Sequence, residues 1–324
     1  MQTLDVLIIG AGISGLLSAR ELQASGRSVC VLDKGRGLGG RMAMRRMAGG
    51  RFDHGAQFFT AREPEFQKIV EQGLAAGVIR EWFRHGSEDR SSEGHPRYCG
   101  VHGMTDLPKF LAQGIEVHNS QQVSDLARDS GRWIVRTAAG SIYAAHHLLV
   151  TAPLPQALNL LDTSGLNYAG ADKTALRAVR YDKGLATLAI LDGPSGLPIS
   201  GAVKVDTASL TWIGDNSQKG ISPEVHAVTL HADAEFAAAH WDSPNEVRGP
   251  LMLAAAEPYL NAQVVEYDCH RWGFTQPINP WPELYYHNAG LQLTLAGDAF
   301  GGPRVEGAAR SGLAAAKVIL GDTA

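Results

Sequence analysis

Two short apolar runs enclose a helical stripe at the start of the chain. Residues 4–9 read as a buried strand, and residues 28–32 read as a second. Between them Leu16, Leu17, Ala19 and Leu22 recur on one helical face. Strand, helix and strand at this spacing predict a βαβ unit. Its first turn is Gly10-Ala11-Gly12-Ile13-Ser14-Gly15, and its second strand ends at Asp33. Gly10 permits the tight turn, Gly12 lets a pyrophosphate approach the backbone, and Gly15 lets helix and strand pack closely. The amides of Ile13 and Ser14 at the helix start suit an anion, and Asp33 can accept hydrogen bonds from a ribose diol. A dinucleotide is the expected ligand.

Further along, residues 115–118, 133–137 and 141–143 predict short strands divided by glycine-bearing turns, and 148–153 another apolar run. Strands are expected at 185–191, 202–205, 210–213, 227–231 and 264–272, with helices near 232–240 and 244–260. Residues 291–296 form a last apolar strand that stops at Gly297-Asp298, before a helix from Val305 to about Ile319. Two interleaved domains follow from this order. A dinucleotide domain takes 1–60, 97–160 and 290–324, and a smaller, mostly antiparallel α+β domain takes 61–96 and 161–289. Residues 84–96 are polar and rich in Gly and Ser, and predict a loop.

The 324 residues carry a net charge of −4, with an isoelectric point near 6.3. Neither nucleic acid nor a membrane surface is an expected partner. Cys30, Cys99 and Cys269 are too few and too scattered for a disulfide framework or a zinc site, so no metal is expected. His95, Cys99 and His102 lack a fourth ligand. The N-terminus lacks a basic segment and is used by the first strand, and no apolar run reaches 18 residues; a cytoplasmic protein is the expectation.

A second glycine-rich loop, Gly35 to Gly40, ends in Arg41, and Phe52-Asp53-His54-Gly55-Ala56-Gln57-Phe58-Phe59 follows. Here the chain resembles the flavin-containing amine oxidase superfamily. The resemblance implies a Rossmann-type FAD-binding domain interleaved with a smaller substrate domain, the amine oxidase / p-hydroxybenzoate hydroxylase-like architecture. It implies FAD as cofactor, touched by Asp33, Lys34, Gly40 and Arg41, with Arg41 near the pyrophosphate and Val123 near the adenine. It places Ala56, Gln57 and Phe58 beside the isoalloxazine, Asp298 on the ribityl–phosphate part, and Val305 and Ala308 near the flavin pyrimidine; Arg304 would serve either the flavin or the substrate phosphates. The C-terminal motif holds no cysteine, so FAD would be bound non-covalently.

Where many amine oxidases of this group place an aromatic before the last helix, this chain reads Gly302-Pro303-Arg304-Val305-Glu306. That departure, the short length, Asp33 and the segment Cys269-His270-Arg271-Trp272-Gly273-Phe274 resemble the renalase branch, most of all its bacterial members. The resemblance implies oxidation of isomeric dihydronicotinamide dinucleotides, 2- or 6-dihydro-NAD(P), with hydride passing to flavin N5 and on to molecular oxygen as hydrogen peroxide. An FAD amine oxidase or desaturase of a small molecule is the alternative; a nicotinamide-dependent dehydrogenase would leave Gly39-Gly40-Arg41 and Gly297-Asp298 without a purpose. Strand alternation puts His270 and Trp272 on one face. Those two, with Thr187, are the expected pocket residues.

Overall fold

Strands buried on both faces need apolar side chains at every position, and Thr3–Ile9 and Val29–Leu32 meet that condition at the centre of a sheet. The computed structural model describes residues 3–84 and 94–321; of the polar loop expected over 84–96, residues 85–93 lie outside the described residues, and Arg84 and Pro96 belong to strands. The first sheet has eight strands. Along its main path run Tyr286–Asn288, Leu293–Leu295, Ile142–Val150, Thr3–Ile9, Val29–Leu32 and Glu116–His118. Thr3–Ile9 pairs in parallel with both Ile142–Val150 and Val29–Leu32. Val123–Asp129 and Arg132–Thr137 form an antiparallel extension on Ile142–Val150. The runs expected at 141–143 and 148–153 thus belong largely to one strand of nine residues.

Helices Ile13–Ala24 and Val305–Leu320 cover one side of this sheet. They touch at their backbones: a Cβ on Gly312 would lie 2.2 Å from the Ser14 carbonyl oxygen. The Ser18 hydroxyl donates to the Gly312 carbonyl at 2.7 Å, so the contact is both close and hydrogen-bonded. Residues 61–84, grouped on sequence with the smaller domain, contribute Phe66, Val70, Ile79 and Trp82 to this same core. The opposite side is packed by Leu126, Trp133, Leu154, Leu161 and Tyr168.

The second sheet is antiparallel throughout, in the order Ala202–Lys204, Leu210–Asp215, His226–Ala232, Gly184–Leu191, Val264–Trp272. One face is covered by the helix Asn245–Leu260 through Met252, Ala256 and Leu260. The other face turns toward the first unit, where Leu188, Ile190 and Ala227 pack on Phe52 of the strand Gly50–Asp53. Two hairpins that the apolar pattern leaves unmarked join the units: Met44–Met47 with Gly50–Asp53, and Ile79–Arg84 with Pro96–Gly100. No helix among the described residues is long and apolar enough to cross a membrane.

Candidate active site

The dinucleotide turn has the geometry that its glycines predict. Gly10 sits at φ +114°, a backbone region that side chains with a Cβ avoid. A Cβ on Gly15 would fall 2.0 Å from the Gly10 carbonyl oxygen, whereas one on Gly12 would meet nothing within 4 Å. Gly15 is therefore required by packing, while Gly12 faces open space at the start of helix Ile13–Ala24, beside Gly40. There the first helical amides of Ile13, Ser14 and Gly15 have no carbonyl one turn back within the helix. Asp33 turns both carboxylate oxygens onto this loop, accepting from the Ala11 and Gly35 amides at 2.6 Å each. Its carbonyl accepts from Gln121, which brings Val123 to the same sheet end. Lys34 points away and donates to Gln156 at 3.0 Å.

Residues from the two ends of the chain meet at Arg41. Its guanidinium grips Asp298 with both arms, one contact measuring 2.7 Å, and donates to the Thr275 carbonyl at 3.0 Å. The Tyr181 hydroxyl donates to the same carboxylate at 3.0 Å. Burial, the largest single influence, lowers the Arg41 pKa, but the Asp298 charge, its hydrogen bonds and Tyr181 together outweigh it and raise the value. The guanidinium expected to face a pyrophosphate thus spends its fork on the aspartate expected to face the ribityl chain. The Arg41 carbonyl accepts the Ala56 amide at 2.9 Å, and a Cβ on Gly55 would lie 2.0 Å from it. These contacts hold the 53–58 segment against the glycine-rich loop. Arg304 caps helix Val305–Leu320, and its carbonyl accepts the Ala308 amide at 3.1 Å.

The second sheet lays a row of residues over this segment. Trp212 pairs with His231, His231 with Ala186, and Ala186 with His270, so all four share one face. Trp272 lies two residues on from His270, and its indole donates to the His54 carbonyl at 2.8 Å. The rings of His54, His270 and Trp272 form a cluster with centroids 4.5 to 4.9 Å apart. Burial drives the His54 pKa down to about 3, with the His270 and Arg45 charges acting in the same direction. His231 is lowered to about 4 by burial, and His270 is lowered by burial and then by Arg45. All three imidazoles are neutral at pH 7.

Thr187 does not join them. It pairs with Cys269, one residue from His270, so alternation sends it to the opposite face. There it is fully buried and its hydroxyl contacts Met252 Sδ at 3.2 Å and Cys269 Sγ at 3.3 Å, under the helix Asn245–Leu260. The expectation of Thr187 in the pocket is corrected: the residue is core, and its register opposite Cys269 puts it on the face away from His270.

Sequence reasoning missed several residues of this site. Lys219 and Asp53 form an ion pair at 2.6 Å, both fully buried. The ammonium also donates to the Gln57 carbonyl at 2.5 Å and lies 4.4 Å from the Trp82 ring centroid. Asp53 accepts the Met104 amide at 2.8 Å, so it is a hub between the 53–58 segment, the 100–104 turn and the second sheet. Phe58 packs against Trp212 and Phe83 at 5.5 and 5.9 Å, with the Arg97 guanidinium 4.8 Å above it. Asp53, Gln57 and Phe58 stood in the 52–59 motif; Lys219, Trp212 and Arg97 lie in segments whose pairing is set by tertiary contacts.

The residues fit a flat, polar-edged cofactor between the two sheets. His54 Nδ1, Gln57 Oε1, Trp212 Nε1 and His231 Nε2 are buried and have no hydrogen-bond partner. Buried polar atoms are seldom left unpaired. These four occur on the segment and the sheet face that oppose each other, and Gln57 Oε1 and Trp212 Nε1 converge on Gly214, where a Cβ would lie 2.9 and 3.0 Å from them.

Comparison with known proteins bears on the fold. Residues 8–72 match the family model of the NAD(P)-binding Rossmann-like domain. The chain is similar to putrescine oxidase of Kocuria rosea, 35% identical over 68 residues, which is 21% of this chain and 14% of that protein. It is 29% identical over 147 residues to acetone monooxygenase (methyl acetate-forming) of Gordonia sp. (strain TY-5), 45% of this chain and 25% of that protein. The chain thus covers a quarter or less of the length of these two relatives. Two solved structures match over essentially whole chains. A protoporphyrinogen oxidase-like protein from Exiguobacterium sp. 255-15 has TM-score 0.74 and 13% identity, covering 100% of both chains. A triple mutant of putrescine oxidase has TM-score 0.75 and 14% identity, covering 99% of both. The protein has an α/β fold that opens with a Rossmann-like domain, and its fold is that of these two solved structures.

Proposed function

We propose that the protein is an FAD-dependent oxidoreductase that oxidises isomeric dihydronicotinamide dinucleotides of the 2- or 6-dihydro-NAD(P) type. FAD, when bound, would supply the two-electron acceptor for a hydride donor, with oxygen as the final acceptor and hydrogen peroxide as the product. The open face of Gly12, the Ile13–Gly15 amides, Asp33 and the Arg41–Asp298 pair would hold it. The unpartnered edges of His54, Gln57, Trp212 and His231 would line its ring or the ring of the substrate.

The observation that carries the substrate reading is the neutral wall of His231, His270, His54 and Trp272. A dihydronicotinamide gives up hydride without losing a proton, and becomes an aromatic cation. Such a donor needs alignment and a surface that does not repel the forming charge, and no general base. An amine must first shed a proton from its ammonium form, and an imidazole held near pKa 3 or 4 retains protons poorly. Asp53 and Asp268 are already engaged, by Lys219 and by Arg45 at 2.5 Å respectively. His270 and Trp272 would then orient the carboxamide and wall the ring.

The partial identity to putrescine oxidase favours an amine as the second reading, but it is confined to 68 residues. One experiment separates the two. The flavin-loaded protein is mixed anaerobically with 2-dihydro-NAD(P), 6-dihydro-NAD(P), ordinary NADH and putrescine, and the flavin absorbance is followed. Rapid bleaching by a dihydro isomer, with NADH and putrescine inert, is the expected result; bleaching by the amine alone would overturn the proposal.

A further inference from the structure

A thiol, an imidazole and a carboxylate converge at one edge of the first sheet. The backbone brings them together. Val29–Leu32 and the edge strand Glu116–His118 run in parallel, with Cys30 opposite Glu116 and Leu32 opposite His118. Paired positions, and positions two apart on one strand, share a face, so Cys30, Glu116 and His118 point to the same side of the sheet. One donor atom from each, a sulfur, a ring nitrogen and a carboxylate oxygen, lies within 4.8 Å of the other two. Cys30 Sγ is 3.9 Å from His118 Nδ1, and Glu116 Oε1 is 3.0 Å from His118 Nε2. The Tyr143 hydroxyl, 2.8 Å from Nδ1, steadies the ring between them.

A core cysteine has no need of such neighbours. Cys30 is 1% exposed and packs in the cluster of Leu126 and Trp133, where a small aliphatic side chain would serve as well. Glu116 and His118 are 59% and 38% exposed at their side chains, so an ion can reach the group from solvent without opening the fold. Around a tetrahedral ion with bonds of about 2.0–2.3 Å, donor atoms stand about 3.3–3.6 Å apart. The three side chains lie within about an ångström of that spacing, so rotation of side chains alone closes the set.

We propose that Cys30, Glu116 and His118 bind a zinc ion that staples the edge strand to the strand ending at Asp33. Thiolate, imidazole and carboxylate together suit zinc, whereas magnesium and calcium take oxygen donors. Three protein ligands leave the fourth position to water. The Cys30 proton passes to solvent as the sulfur takes the ion. The effect reaches the dinucleotide turn. The His118 carbonyl accepts the Asp33 amide at 3.0 Å, and Asp33 in turn holds the Ala11 and Gly35 amides. Sequence spacing gives no sign of this site, because Cys30 and His118 are 88 residues apart, which is why the cysteine count alone predicts no metal. The zinc site is independent of the substrate reading.

The test adds zinc alone to flavin-loaded protein, with binding read by calorimetry and stability by thermal melts. Wild type should take up one zinc ion per chain and melt at a higher temperature with it. E116Q and H118Q alter side chains that solvent already reaches and should fold normally, yet each should weaken zinc about tenfold or more. C30S should do the same. H102Q, which removes an exposed histidine beside Asp106, should leave zinc binding unchanged. No uptake by wild type, uptake that E116Q and H118Q do not alter, or equal weakening by H102Q would overturn the proposal. Magnesium bound as tightly as zinc would overturn it too, since a site that uses the Cys30 sulfur discriminates between them.

Discussion

At the scale of single residues, burial sets the chemistry of this site. His54 is 6% exposed, packs against His270 and Trp272, and keeps a neutral ring because a charged one would lose its water without gaining a counterion. A depressed histidine pKa has a defined consequence for stability. His54, His147 and His231, lowered to about 3, 4 and 4, bind fewer protons folded than unfolded, where the value is about 6.5. Their contribution is present above pH 6.5 and is lost as pH falls toward 4, at about 1.4 kcal/mol per pH unit for each titrating ring. Thermal melts between pH 7 and 4 should show a steep fall; a flat profile would show that these rings are not held neutral. In the pocket, His270→Ala should slow flavin reduction in stopped-flow mixing while the flavin stays bound, and an unchanged rate would remove this side chain from the reaction. Lys219→Met leaves Asp53 buried without its partner. A loss of about 3–5 kcal/mol in denaturant unfolding is expected, and the charge-neutral pair Lys219→Met with Asp53→Leu should recover part of it.

At the scale of elements, the helix at the dinucleotide turn separates what packing needs from what a ligand needs. Gly15 has no room for a methyl group, because the Gly10 carbonyl would lie 2.0 Å from it, while Gly12 has open space. Gly15→Ala should lower stability by about 1–3 kcal/mol or more. Gly12→Ala should melt like the wild type yet purify with less flavin. Equal melting temperatures for both variants would contradict this division of roles. The strand Val264–Trp272 shows how far local rules reach. Period-two alternation places His270 and Trp272 together, and the structure keeps them together. The same rule excludes Thr187 only once the register of the two strands is known, since its pairing with Cys269 decides its face.

At the scale of the whole molecule, Arg41 and Asp298 join segments 257 residues apart, with Tyr181 of the intervening segment on the same carboxylate. Arg41→Ala should therefore act twice, reducing flavin retention and loosening the junction of the glycine-rich loop with the C-terminal strand. Flavin content together with a thermal melt would register both effects, and full loading with an unchanged melt would rule out the role given to Arg41. The βαβ unit, its glycines and Asp33, the antiparallel second sheet and the pairing of His270 with Trp272 were all legible in the sequence. Each depends on local periodicity or on backbone sterics within a few residues. Tertiary structure alone decided the rest: the Asp53–Lys219 pair, the opposition of Trp212 and His231 to residues 53–58, the Arg41–Asp298 grip, and the burial of Thr187. Those features depend on strand register and on contacts between distant segments. A charged or polar side chain carries no local mark of the partner that folding will bring to it.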